Sequence, residues 1–400
     1  MRVESPGRDI YDGNVMRKKT LWIVMSTLTI LIGIILLFAC GIGYYVYVWL
    51  QVSPIVVAPD ANEAERLAAV DRWLDKQFEK HKSNGGVLIV REGQVLLLKT
   101  CGYTDHTATQ RLNAHTAFRL ASVSKQFTAA GILRLAEMSL LNLDDPVAKH
   151  LDGFVSDKVT IRHLLNQTSG IPDVYMDLAE EHRKELGEVL TISNVVELVK
   201  QYGELEHQPG DVMKYSNTNY VLLAGIIESA SEMSFEQFMH KELFKPLGMN
   251  DTRVWNLLSS ERSSNQASDF DQVDEDRTPV ETTWIDGVAG DGAVFCSLHD
   301  FVIWDQFWEG NPLISDELLN QTVKPPKLND GTKSDYGFGW IVEQKRHWHN
   351  GAWLGANTYF VRYPGSKCCL VVLDNSSNIR LDTVVSHLEE ALMPILAKDE

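Results

Sequence analysis

Apolar and polar positions divide the chain into a charge-free N-terminal stretch, two strand-rich ends and a helical middle. Leu67, Val70, Leu74 and Phe78 recur at helical spacing with charges between them, which predicts an amphipathic helix over residues 61–82. Two apolar runs, Gly86 to Val90 and Val95 to Gly102, flank Arg91-Glu92-Gly93-Gln94 and predict a hairpin. Further strand-like runs cover 336–342, 346–350, 357–363 and 368–374, and a final helix covers 381–396. From Ser122 to about Phe244 the pattern is mostly helical, so strands distant in sequence must pair across an inserted helical region. The expected class is α+β, a sheet flanked by helices.

No charged residue falls between Leu21 and Leu50. At about 1.5 Å per residue a helix there exceeds the ~30 Å hydrocarbon core, so one transmembrane helix is expected. Arg17, Lys18 and Lys19 precede the run, and Asp60, Glu63 and Glu65 follow it. The positive-inside rule then places residues 1–20 in the cytoplasm as a tail, 21–50 in the cell membrane as a single-pass anchor, 51–60 as a linker, and 61–400 outside the cytoplasm. Trp22, Tyr44, Tyr45, Tyr47 and Trp49 fit the aromatic belts. A cleaved signal peptide and a lipoprotein signal at Leu37-Phe38-Ala39-Cys40 are the rival readings. The first has a shorter apolar region, and the second turns polar after its cysteine, where this run continues.

The 400 residues are 44% hydrophobic and 23% charged, a globular composition. Net charge is −17, and because the first fifty residues hold five basic and three acidic side chains, the remainder carries −19. Without a Lys/Arg cluster, nucleic acid is excluded as a partner. The five cysteines show neither C-x-x-C spacing nor a disulfide framework, and Cys368-Cys369 reads as a pair of packing residues on opposite strand faces. The acidic stretch from Asp269 to Glu281 reads as a solvated loop, with a lid or cation site as the alternative.

Motifs G-x-S-x-G, H-E-x-x-H and the P-loop are absent. Ser122-Val123-Ser124-Lys125 is the one S-x-x-K, and it opens the run SVSKQFTAAGILRLAEM. Residues i and i+3 share a helix face, which brings the Lys125 amine to the Ser122 hydroxyl at a helix N-terminus suited to developing negative charge. The alternative is an ordinary N-cap serine and a surface lysine. A second polar group, PGDVMKYSNTNY, leads into an apolar helix, and in an extended loop Tyr215 and Asn217 point to one side. There Tyr215 offers a phenol for proton relay, or simply packs beside a turn. A third piece, His347 to Ala352, contains Gly351, which permits close backbone approach. His347 and His349 share a strand face, but a metal would want a third ligand that the sequence does not supply.

In the order S-x-x-K, Y-x-N, H-x-G, these pieces resemble the serine β-lactamase and penicillin-binding protein superfamily, specifically class C β-lactamase-like serine hydrolases. The segments FRLASVSKQFTA, TIRHLLNQTSGIPD, FKPLGMNDT, GDGAVFCSLHDF and YGFGW extend the likeness from about Leu67 to Leu396. The resemblance implies a β-lactamase/transpeptidase-like fold over 61–400, with a five-stranded antiparallel sheet between helices and the site between it and a helical subdomain. It implies Ser122 as acylated nucleophile, Lys125 as the acceptor of its proton and Tyr215 as general acid/base. His349 opens the third motif, the N–H groups of Ser122 and Ala352 form an oxyanion hole, and Asn217, Asn350 and Gly351 lie against substrate. No cofactor and no metal are implied. Many relatives carry Lys-Thr-Gly where this chain has His349-Asn350-Gly351, which removes a cation that greets a β-lactam carboxylate. The expected enzyme is therefore a membrane-anchored hydrolase of small esters, amides or peptides. A β-lactamase and a non-hydrolytic penicillin-binding sensor are the alternatives.

Overall fold

The computed structural model describes residues 52–81, 83–202, 204–259, 262–273, 276–377 and 381–397. The expected transmembrane helix and cytoplasmic tail lie outside them, and no helix among the described residues is long and apolar enough to cross a membrane. The chain divides after Pro54, and the unit from Ile55 carries every element below.

Helix α1 (Glu63–His81) leads into a hairpin of β1 (Gly85–Arg91) and β2 (Gln94–Cys101), close to the expected bounds. The C-terminal half supplies β8 (Ile341–Val342), β9 (His347–Trp353), β10 (Ala356–Tyr363) and β11 (Cys368–Asp374). Together these form one antiparallel sheet of order β2-β1-β11-β10-β9-β8, six strands rather than the expected five. The run 336–342 yields only the two-residue β8, because Gly339 takes φ +77° and presses against the Gln126 backbone, so Tyr336 to Trp340 turn into the core. All seven residues of β11 are buried, since α8 (Leu381–Leu396) covers one sheet face and α7 (Leu298–Phe307) the other. Cys368 and Cys369 are accordingly free, buried thiols: the first lies 3.7 Å from the Ile395 carbonyl of α8, and the second faces Asp305 of α7.

The helical region contains α2 (Ser124–Glu137), α3 (Ile161–Leu165), α4 (Val174–Leu178), α5 (Ile192–Tyr202) and α6 (Asn217–Ser231). Every residue of α2 from Ser124 to Leu133 is buried, which makes it the central helix rather than a surface one. Phe127 stacks on Trp304 of α7 at 3.9 Å, and the small residue Gly131 lets Ile227 of α6 approach closely. A second sheet, β3-β7-β4, joins β3 (Ala117–Arg119), β7 (Val294–Ser297) and β4 (Arg253–Val254). The acidic stretch is a hairpin, β5 (Phe270–Val273) with β6 (Asp276–Pro279), and not a loop. Alternate residues Phe270 and Gln272 are buried, a period-2 pattern masked in the sequence by the surrounding carboxylates.

Candidate active site

Strand β3 is followed by Leu120, whose N–H donates to the Val294 carbonyl and whose carbonyl accepts from the Thr358 hydroxyl at 2.8 Å. Clamped from two strands, the chain then passes Ala121 at φ +46°, a left-handed conformation uncommon for alanine. Ser122 follows in a short 3-10 turn, Ala121–Val123, so the N-cap of α2 is Val123 and the helix begins one residue later than an N-cap at Ser122 would require. The i, i+3 relation still holds: Lys125 Nζ lies 3.2 Å from Ser122 Oγ.

Lys125 is fully buried and directs its other protons to Asn217 Oδ1 at 2.8 Å and the Asp291 carbonyl at 3.0 Å. Its nitrogen also lies 4.9 Å from the centre of the Tyr215 ring and 5.7 Å from that of Tyr220. The sequence alternative of a surface lysine is thereby removed.

Ser216 is extended, but Asn217 is already the first residue of α6, so the two side chains reach Lys125 from a loop and a helix end rather than along one extended strand. Tyr215 is 40% exposed and meets Tyr336 edge-on. Asp173 organises this end of α6: its Oδ1 accepts from the Thr218 N–H at 2.9 Å and hydroxyl at 2.8 Å, and its Oδ2 accepts from Asn217 Nδ2 at 3.1 Å. Gln167 accepts from the Ser216 N–H at 3.1 Å and from Asn219 at 2.6 Å. Both residues lie inside TIRHLLNQTSGIPD, a segment whose sequence by itself assigns them no role. An Asp just after Ile-Pro signals a cap, and the helix it caps begins more than forty residues further on.

On the sheet side, His349 of β9 is buried with both ring nitrogens engaged. Nδ1 lies 2.6 Å from the Asn350 carbonyl, which only accepts, so Nδ1 carries the proton and Nε2 accepts from the Tyr336 hydroxyl at 3.1 Å. Burial, with the Lys125 charge behind it, pushes the imidazole down to about 3. His349 is thus a neutral spacer under the site and takes no place in the cavity wall. Burial beside Arg362 likewise lowers His347 to about 4. Asn350 and Ala352 are exposed, whereas Gly351 is buried against the nucleophile turn. A Cβ at Gly351 would stand 2.4 Å from the Leu120 carbonyl, 2.6 Å from Thr358 Oγ1 and 2.8 Å from Ser122 N. Only a residue without a side chain lets β9 come this close.

Ser122, Asn217 and Ala352 line one cavity of about 250 Å³, with Tyr175, Arg119, Asp286, Asp291 and Trp353 among its other walls. Its charges are matched from within. Arg119 pairs with Asp269 at 2.6 Å and stands 3.8 Å from Asp286, and Tyr175 donates to Asp291 at 2.5 Å. Burial raises Asp291, and the Lys125 charge works against that shift. Burial and then Asp291 hold the Tyr175 phenol well above its ordinary range.

The family model described as Beta-lactamase matches residues 70–386. Penicillin-binding protein 4* of Bacillus subtilis (strain 168) is 36% identical over 320 residues, covering 74% of this chain and 69% of that protein. The octameric penicillin-binding protein homologue from Pyrococcus abyssi superimposes with a TM-score of 0.68 at 24% identity, over 82% of this chain and 77% of the other. D-amino acid amidase from Ochrobactrum anthropi SV3, complexed with L-phenylalanine amide, gives 0.66 at 21% identity, over 81% and 99%. These structural likenesses show the β-lactamase/transpeptidase-like α+β fold. The chain belongs to the beta-lactamase family, within that superfamily of serine hydrolases.

Proposed function

We propose that the chain is a membrane-anchored hydrolase working through a Ser122 acyl-enzyme on a small ester, amide or peptide. The observation that carries this reading is the buried Lys125 amine, 3.2 Å from a Ser122 hydroxyl that opens onto a cavity. Lys125 accepts the Ser122 proton as Oγ bonds to the acyl carbon. The carbonyl oxygen takes up negative charge facing the N–H groups of Ser122 and Ala352. A proton passes through Tyr215 to the leaving oxygen or nitrogen, whose bond to the acyl carbon breaks. Water then adds to the ester by the same route, giving a carboxylic acid and restoring Ser122. Asn217 holds Lys125 and the substrate together.

A neutral His349 in the third motif favours esters and amides over β-lactams, because no cation there meets a ring carboxylate. The names of the penicillin-binding protein and amidase relatives fit that substrate range. The charge-free stretch 21–50, behind Arg17, Lys18 and Lys19, supports an anchor that leaves the folded unit outside the cytoplasm.

The test is turnover of a panel of chromogenic esters and D-amino-acid amides by the full chain, alongside intact mass after mixing with a penicillin. Turnover lost in Ser122→Ala supports the reading. A penicillin adduct that persists without turnover of any substrate would replace it with a sensor.

A further inference from the structure

At the end of the β3-β7-β4 sheet away from Ser122, three strand ends bring a set of metal-capable side chains together. His115 lies two residues before β3, Asp251 two before β4, and His299 two after the end of β7. Because β7 is central and antiparallel to both neighbours, with Ala117 opposite Ser297 and Arg253 opposite Phe295, these three positions converge at one end of the sheet. His115 Nδ1 is 2.8 Å from Asp251 Oδ2, the two imidazoles stand 4.5 Å apart, and one ligand atom from each of the three residues lies within 4.8 Å of the others. Among the described residues this is the one such grouping.

We propose that His115, Asp251 and His299 bind a first-row divalent metal of the Zn²⁺ class, which ties the three strand ends together. Ligands around tetrahedral zinc at about 2.0–2.1 Å stand roughly 3.3 Å apart, so small side-chain rotations close the set. Two imidazoles and one carboxylate suit zinc better than calcium or magnesium.

Outer groups already hold two of the three ligands, His299 and Asp251, in the posture a metal needs. Asp300 Oδ1 lies 3.2 Å from His299 Nδ1 and leaves Nε2 to ligate, the carboxylate–histidine–metal arrangement. Asp300 is itself buried and fixed by the Asp251 N–H at 2.9 Å and the Thr252 hydroxyl at 2.8 Å. Asp251 in turn accepts from Asn265 at 2.8 Å and Ser297 at 3.1 Å. Arg253, the nearby cation, spends its Nη2 on Asn265 and makes no ion pair with Asp251. The imidazoles of His115 and His299 are exposed, so solvent supplies the remaining ligand and the metal enters without opening the fold. Such a site is structural. It fixes one end of the strand whose other end delivers Ser122.

The test uses the full chain in detergent, stripped with a chelator and titrated with Co²⁺ and then Zn²⁺. One equivalent of Co²⁺ should bind with tetrahedral visible absorption and be displaced by Zn²⁺. Zinc at a hundred times its Kd should raise Tm by about 4 °C. His115→Ala and His299→Ala, both at exposed positions, should each abolish the absorption and the Tm shift. Absence of stoichiometric binding in the wild-type chain, or its survival in the double variant, would overturn the proposal.

Discussion

On the helical side of the candidate site, Lys125 places three hydrogen bonds at 2.8–3.2 Å, and Asn217 and Asp173 carry the polar chain onward. On the sheet side, Gly351 contributes the absence of a side chain, and His349 contributes volume with its polarity turned inward. One wall is specified by donors and acceptors, the other by shape. The lesson concerns tolerance: a polar wall fails when an atom is removed, and a shape wall fails when one is added.

The sharpest division comes from Ser122→Ala, which should lower turnover by about 10⁴-fold or more while leaving Tm unchanged. An equal loss of stability would mean that Ser122 chiefly holds the turn. Tyr215→Phe follows, with an expected fall of about 10²–10³-fold in kcat, read against a KM that stays within a few-fold. Gly351→Ala probes the shape wall. The added methyl should push β9 from the nucleophile turn, costing about 1–3 kcal/mol in urea unfolding and about a hundredfold in kcat/KM. Wild-type behaviour in that variant would erase the distinction between the walls.

The smallest effect concerns pH. His349 is depressed to about 3 in the folded chain against an ordinary 6.5, so between those values the unfolded chain binds the extra proton. Stability should therefore be flat with respect to this group above pH 6.5 and fall as pH drops below it, by about 2 kcal/mol between pH 7 and pH 5. His347 adds to the same slope, so wild type is compared with His349→Gln, whose stability profile should be shallower.

Much of this was legible in the chain, and its legibility follows the same division. Cys368–Asp374 and Leu381–Leu396 emerge with the expected bounds, because a short apolar run with adjacent valines between turn residues marks the first and a helical period of apolar positions marks the second. Ser122 and Lys125 were readable because their spacing is local. Asp173 and Gln167 were not, since each acts on a helix start more than forty positions away, and capping from a distance leaves no periodic trace. Tyr336 to Trp340 looked like a strand because its aromatics suit one, yet a positive-φ glycine turned it inward. The hairpin over 270–279 was hidden by its carboxylates: Asp271 is exposed between the buried Phe270 and Gln272, and Asp269, just before them, is itself buried.

The strand order sets a schedule for synthesis. The last strand made, β11, occupies the middle of the sheet between β1 and β10. A ribosome that has delivered the hairpin, the nucleophile turn and β9 has still produced two unconnected sheet fragments, each with an open edge of unpaired backbone. The domain closes only when β11 emerges, so a premature stop before Cys368 would release an aggregation-prone chain rather than a trimmed enzyme.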